Sequence, residues 1–293
     1  MNVQAKLVII IGPTAVGKSA KAMALASEIK SEIISSDSRH VYRGMDIGTN
    51  KPTADEQAKV RHHLLNLRDP HEAFSLSEYL DLARNAIDDI SARGKTPLLV
   101  GGTGQYVRAV IEGWQVPEVP PNEEIRRHWT NFAETHGIEA LNRELIKRDQ
   151  AAATTIDPRN VRRVIRALEV IEVTGQKWSE LQRKNPMDSG ALQIINVSMP
   201  REALYERADA RILQMMEDGW LDETKRLLSF LASVGIDAAK AKTLPSMSAL
   251  GYSEMIDVAL GQLSLADAIT RIKADTRRFI RMQDAWFRPY WKQ

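Results

Sequence analysis

Cysteine is absent from all 293 residues of the chain. That excludes disulfides, thiolate metal centres and a cysteine nucleophile, and it suits a reducing compartment. Long apolar runs are absent too. The first one, Leu7 to Ile11, spans five residues and ends in a glycine-containing loop, so it does not read as a secretory signal. No run approaches the ~18 apolar residues of a membrane span. Excess charge is scarce: 27% of residues are charged, yet the net is +2, and no global field demands a nucleic-acid partner. Internal repeats and low-complexity tracts are missing as well. These absences predict a soluble, cytoplasmic protein with no membrane association, and the length predicts one large or two moderate domains.

What asymmetry of charge exists lies at the end. Arg271, Lys273, Arg277, Arg278, Arg281, Arg288 and Lys292 face only Asp275 and Asp284, so Arg271 to Gln293 carries +5 and leaves −3 elsewhere. A basic end on a neutral body points to a polyanionic partner. Phe279, Trp286, Phe287, Tyr290 and Trp291 interleave with these cations. At such spacings aromatics serve either as core or as stacking platforms for bases.

At the other end, Lys6 to Ile11 reads as a strand running into Gly12-Pro13-Thr14-Ala15-Val16-Gly17-Lys18-Ser19. This matches G-x-x-x-x-G-K-[ST], and Ala20 to Lys30 reads as the helix that should follow. Glycines let successive N–H groups turn inward, and the helix N-terminus adds positive partial charge. Lys18 supplies a point charge for phosphate oxygens and Ser19 a hydroxyl for Mg²⁺. A diphosphate or triphosphate site is expected here.

Further strands are expected at Glu32–Ser35, His62–Leu67, Thr96–Val100 and Gln193–Ser198. Helices are expected after the capping patterns Thr53-x-x-Glu56 and Ser75-x-x-Glu78, the second ending at Gly94. Such β–α alternation predicts an α/β fold, a P-loop NTPase-like parallel sheet covered by helices. Beyond Trp114, the prolines 117, 120 and 121 open a stretch of helical patterns at about 122–135, 138–147 and 160–173. Residues 115–184 therefore read as an all-helical insertion, of a kind that often acts as a lid, in a core made of 1–114 and 185–293. A helical C-terminal part ends at 265–286.

Three loops should meet at the carboxyl edge of the sheet: the phosphate loop, Ser36-Asp37-Ser38 and Gly101-Gly102-Thr103-Gly104. Asp37 could ligate a metal, take a proton as general base, or merely close a turn. Gly101 to Gly104 could admit a ligand to the backbone, with Thr103 offering a hydroxyl, or could be only a tight turn. In Asp157-Pro158-Arg159-Asn160-Val161-Arg162-Arg163-Val164-Ile165-Arg166, Asp157 is the expected helix cap. Arg159, Arg162, Arg163 and Arg166 form one expected basic face with no internal acid. His62-His63 lacks a third ligand and reads as strand surface.

Together these residues resemble the tRNA dimethylallyltransferase (tRNA isopentenyltransferase) family. The matches are Gly12 to Ser19, Asp37-Ser38-Arg39-His40-Val41-Tyr42-Arg43-Gly44-Met45-Asp46-Ile47-Gly48-Thr49, His62-His63-Leu64, Gly101 to Tyr106, Asn160 to Glu169, Leu250-Gly251-Tyr252, and Arg277 to Arg288. They run in order along nearly the whole chain. The resemblance implies transfer of a dimethylallyl group from its diphosphate to the exocyclic amine of adenosine at tRNA position 37. It implies Asp37 as the base, with Thr103 and Lys18 in the catalytic set and Mg²⁺ near Ser19. It also implies contact of the anticodon stem-loop with Asp37 to His40, Thr103, Arg126, Arg162 to Arg166 (Arg162, Arg163, Val164, Ile165, Arg166), Ser248 to Ser253 and Thr276 to Gln283 (Arg277, Arg278, Arg281, Gln283). A monomer is expected. The family usually has Gln where this chain has His40, an apolar residue at Gln105, and a basic one at Ser248 and Met282. A P-loop kinase or NTPase, a prenyltransferase acting on free adenine nucleotides, and a silent RNA-binding protein are the alternatives.

Overall fold

The computed structural model describes residues 7–290, so Lys6, Trp291 and Lys292 of the expected segments lie outside the described residues. In chain order the elements begin with β1 (Leu7–Ile11), α1 (Lys18–Glu28), β2 (Ser31–Ser35), α2 (Ala54–Lys59), β3 (His62–His63), α3 (Leu76–Ala92), β4 (Thr96–Val100) and α4 (Gly104–Ile111). Next are β5 (Trp114–Gln115), α5 (Glu123–His136), α6 (Ile138–Arg148), α7 (Gln150–Thr155), α8 (Val161–Thr174), α9 (Trp178–Leu181) and β6 (Arg183–Lys184). The chain ends with β7 (Leu192–Asn196), α10 (Arg201–Glu217), α11 (Trp220–Ser233), α12 (Ala238–Ala241), α13 (Tyr252–Ala259) and α14 (Leu265–Phe287). It divides into two units, Met1–Ile111 with Met187–Gln293, and Glu112–Pro186.

In the larger unit, β1, β2, β3, β4 and β7 pair in parallel, in the order β3-β2-β4-β1-β7. The near-continuous apolar runs of β1 and β4 suit central strands covered on both faces. Val100 pairs with Ile10 on one side and Ser35 on the other, so β1, β4 and β2 end level. Val8, Ile10, Ile33, Leu98 and Val100 pack with Ala22 of α1. A second cluster joins Val41, Tyr42 and Met45, from the loop after β2, to Trp220, Leu227, Tyr252, Met255 and Ile272 of the C-terminal helices.

Both capping patterns act as expected: Thr53 and Glu56 form a reciprocal box, and the Ser75 side chain accepts from Glu78 N–H. β3 stops after two residues because Leu64 and Asn66 take positive φ (64° and 54°), which ends an extended strand. His63 is not simply strand surface. Its Nε2 lies 2.7 Å from the buried Glu32 carboxylate, which also binds Arg93 and Lys95.

The smaller unit has its own core of Trp129, Leu141, Leu145, Val164, Ala167, Leu168 and Trp178. It is not purely helical, because β5 and β6 pair antiparallel where the chain enters and leaves. Asp157 is not the cap of α8. Asn160 is, with its side chain accepting from Arg163 N–H, while Asp157 binds the backbone and guanidinium of Arg159. An additional short helix, α7, is capped by Asp149.

Candidate active site

β1 delivers the chain into a turn whose backbone is unusual at both ends. Gly12 has φ 146° and lies so close to the Val197 carbonyl that a Cβ would collide with it. Ala15 sits at φ 64°, a region sparsely used by residues with a side chain. Gly17 precedes α1 without any side-chain cap, which leaves the first N–H groups of that helix for an anion.

Three cations gather on this turn. Lys18 Nζ donates to the carbonyls of Gly12 and Pro13 at 2.9 and 2.8 Å. Burial and the nearby Arg211 push its pKa down to about 7, against the opposing pull of Asp37. Arg211, on α10, donates from Nη2 to Thr14 Oγ1 at 2.7 Å. Its Nε is buried with no hydrogen-bond partner among the described residues. Arg207, one turn earlier, holds its guanidinium 3.5 Å from where a Gly17 Cβ would stand. Neither arginine stood out in the sequence. Their only signal was a four-residue spacing on the helix following β7.

Beside this cradle the ends of β2 and β4 are stitched together. Ser38 N–H donates to Thr103 Oγ1 at 3.0 Å, and Thr103 N–H donates to the Ser36 carbonyl at 3.2 Å. Asp37 accepts Arg39 N–H on Oδ1 at 2.8 Å, and its charge bears on both Lys18 and Arg211. Thr14, Lys18, Asp37, Ser38 and Thr103, expected from sequence, are thus brought together. The arrangement sets a carboxylate and a hydroxyl beside a polycationic turn. Such a site can neutralise a leaving phosphate group while accepting a proton.

Gln283 corrects one expectation. Instead of facing outward to RNA, it is 3% exposed and bridges two loops of the site. Its Oε1 accepts Thr14 N–H at 2.7 Å and its Nε2 donates to the Gly102 carbonyl at 2.9 Å. Glycine at 102 leaves room for that approach, since a Cβ there would stand 2.5 Å from Gln283 Nε2 and displace the amide.

The expected basic face is broken up. Arg159 precedes α8 and pairs with Asp157. Arg166 and Arg126 share the buried Glu169, at 2.6 and 2.9 Å, and Glu169 also accepts Asn122 N–H. Val164 and Ile165 are buried in the core of the smaller unit, so their side chains are packing residues and not RNA contacts. Arg162 and Arg163 remain exposed, with no ion pair among the described residues. On α14, Arg277 pairs with Asp209 at 2.6 Å and lies over Tyr205, while Arg281 reaches the Tyr205 hydroxyl at 3.3 Å. Arg278 pairs with Asp275 at 3.1 Å. Phe287 is core, and Trp286 is partly exposed. Of the departures from the family pattern, Ser248 accepts from Arg39 at 3.3 Å, whereas Gln105 and Met282 are exposed.

Ser19 is exposed on the first turn of α1. Among the described residues no three histidines, aspartates or glutamates gather into a cage for a metal. The Ser19 hydroxyl suits Mg²⁺ arriving with its phosphate ligands, the usual mode for that ion.

The low pKa of Lys18 has a measurable consequence. A bound diphosphate places negative charge on the amine and raises its pKa above the free value of about 7. Affinity for a diphosphate ester is therefore fullest below about pH 7 and declines as pH rises toward the pKa of the complex. Calorimetry at pH 8 in two buffers of different ionisation enthalpy should show uptake of up to about one proton. Lys18→Ala should abolish that uptake.

Among the described residues no helix is long and apolar enough to cross a membrane. The family model "IPP transferase" matches residues 40–290. The chain is 50% identical over 282 residues to a tRNA dimethylallyltransferase of Roseiflexus sp. (strain RS-1), covering 96% of this chain and 90% of that one. Among solved structures, the tRNA isopentenylpyrophosphate transferase of Bacillus halodurans is 42% identical, with TM-score 0.66, covering 97% of this chain and 87% of the other. A eukaryotic dimethylallyltransferase acting on tRNA is 29% identical with TM-score 0.79, covering 97% and 70%. With its phosphate loop, Asp37 and Thr103 gathered at one edge of a parallel sheet, the chain belongs to the tRNA dimethylallyltransferase family.

Proposed function

We propose that this protein transfers a dimethylallyl group from dimethylallyl diphosphate to the exocyclic amine of adenosine 37 in tRNA. The observation that carries this reading is the meeting of three loops at one edge of the sheet, where Arg211 donates to Thr14, Gln283 ties Thr14 to Gly102, and Thr103 Oγ1 accepts Ser38 N–H next to Asp37. The transfer breaks the allylic carbon–oxygen bond, and its electron pair leaves with diphosphate. The amine lone pair makes the new carbon–nitrogen bond, and the amine proton passes to Asp37. An adenine amine is a weak nucleophile because its lone pair is shared with the ring, so a carboxylate positioned for that proton accelerates the step. Lys18, Arg207, Arg211 and the first N–H groups of α1 hold the diphosphate. Mg²⁺, when bound with Ser19 and phosphate oxygens, supplies further charge neutralisation. The target base must leave its stack to reach Asp37. A monomer working in the cytoplasm accompanies this reading.

Incubation with dimethylallyl diphosphate and unmodified tRNA, followed by mass analysis of the nucleosides, tests the reading. Dimethylallyl-adenosine at one position next to the anticodon is expected. Efficient modification of free AMP, with no preference for an anticodon stem-loop, would support the small-nucleotide alternative instead. Arg162 and Arg163 are the exposed cations proposed to meet phosphates. Replacing both by Ala should flatten the slope of log K against log [salt] for tRNA by roughly 1.5 units. Binding of dimethylallyl diphosphate should not change.

A further inference from the structure

Glu223, in the first turn of α11, is 2% exposed and makes no ion pair among the described residues. Its carboxylate is nevertheless fully used. Oε2 accepts the backbone N–H groups of Asp46 and Ile47 at 2.8 and 2.7 Å. Oε1 accepts Gly48 N–H at 3.2 Å and the Tyr252 hydroxyl at 2.6 Å. Three successive N–H groups turned to one side form a nest that binds anions. Here the anion is tethered to a helix about 175 residues further along the chain.

The loop so held carries the catalytic edge. Lys51 Nζ pins it from inside, donating to the Tyr42 carbonyl, Asp46 Oδ1 and Asn66 Oδ1 at 2.6–2.7 Å. Gly48 lies against the Trp220 ring, where a Cβ would collide. Next in the loop, the Thr49 carbonyl sits 3.2 Å from His40 Nε2, while His40 Nδ1 is 3.0 Å from Ser35 Oγ. A carbonyl only accepts, so Nε2 carries a hydrogen toward Thr49, and in the neutral ring Nδ1 is then the acceptor for the Ser35 hydroxyl. Ser35 Oγ in turn accepts Asp37 N–H at 3.3 Å. A path of hydrogen bonds, joined by the backbone of residues 46–49, runs from Glu223 through that loop, His40 and Ser35 to the backbone of Asp37.

We propose that Glu223 is a positioning residue for the transfer reaction, fixing Asp37 through this path, with His40 as its central link. This rests on Asp37 being the base. Three of the four groups facing Glu223 are backbone N–H groups, which can only donate, and they meet both of its oxygens, so an acceptor with no hydrogen of its own satisfies them all. Glu223→Gln keeps the shape but turns an NH₂ toward N–H and O–H groups, leaving buried donors unpaired and the loop displaced. A misplacement on the order of 1 Å can cost ~10²-fold in rate. The diphosphate cradle stands on β1, α1 and α10, so its affinity should be spared.

The test measures kcat at saturating tRNA and KM for dimethylallyl diphosphate, with circular dichroism confirming the fold at assay temperature. For Glu223→Gln, kcat should fall roughly 10–100-fold with KM within about twofold. His40→Leu should lose kcat by a similar factor, and His40→Gln, which keeps one donor and one acceptor, should recover most of it. A folded Glu223→Gln protein with parental kcat overturns the proposal. If Glu223→Gln does not fold, unchanged kcat in His40→Leu overturns it instead. Asp37→Asn assayed alongside separates the two claims, because undiminished activity there removes the base and not merely its support.

Discussion

Asp37→Asn should lower turnover by roughly 10²–10⁴, the usual contribution of a positioned acid or base. The substitution is conservative for the fold. Asn retains the Oδ1 that accepts Arg39 N–H, and the backbone donation to Ser35 Oγ does not depend on the side chain. Only the capacity to take a proton is removed. Removing the negative charge also withdraws the one influence that raises the Lys18 pKa, so diphosphate binding should show a shifted pH dependence. If Asp37 were instead a metal ligand, the Mg²⁺ titration would move to higher concentration and turnover would return at high metal. The two roles are thus separable in one set of assays, and an unchanged Mg²⁺ titration supports the base.

Lys18→Ala should cost on the order of 10²–10³ in rate, as loss of a single electrostatic donor does at sites of developing charge. Two effects combine. The charge on the leaving diphosphate loses a point partner, and the Gly12 and Pro13 carbonyls lose the amine that holds the turn. Arg207 and Arg211 remain, so residual activity above the uncatalysed rate is expected. Binding of tRNA should change little. Prenyl transfer near the parental rate would mean that the diphosphate leaves elsewhere.

How much of this was legible in the sequence depended on whether the signal was local. The phosphate loop announces itself because its glycines, lysine and serine lie within eight consecutive residues, after an apolar run and before a helix. Helix caps at Thr53 and Ser75 were legible for the same reason: their partners lie three residues away. The cap of α8 was misread because Asp157 and Asn160 both offer cap chemistry, and only the backbone path decides between them.

The arginine-rich segment shows the opposite case. Counting acids inside 157–166 left the cations free, yet Glu169 lies just beyond the run and takes both Arg166 and Arg126, the latter 43 residues away. Gln283 sits 269 residues from Thr14, and no pattern along the chain could pair them. Arg211 and Thr14 meet across 197 residues, and Glu223 and Asp46 across 177.

By itself, the sequence determined the parallel α/β class and membership of a family, and it pointed to the Gly12–Ser19 turn, Asp37 and Thr103, which the structure brings together. Backbone-period patterns and short motifs encode these within a few residues. Tertiary structure alone decided which cations are paired, which polar side chains brace the site, and what holds the loop of Asp37. Those outcomes depend on contacts between segments that become neighbours only once the level strand ends and the packed C-terminal helices bring them together.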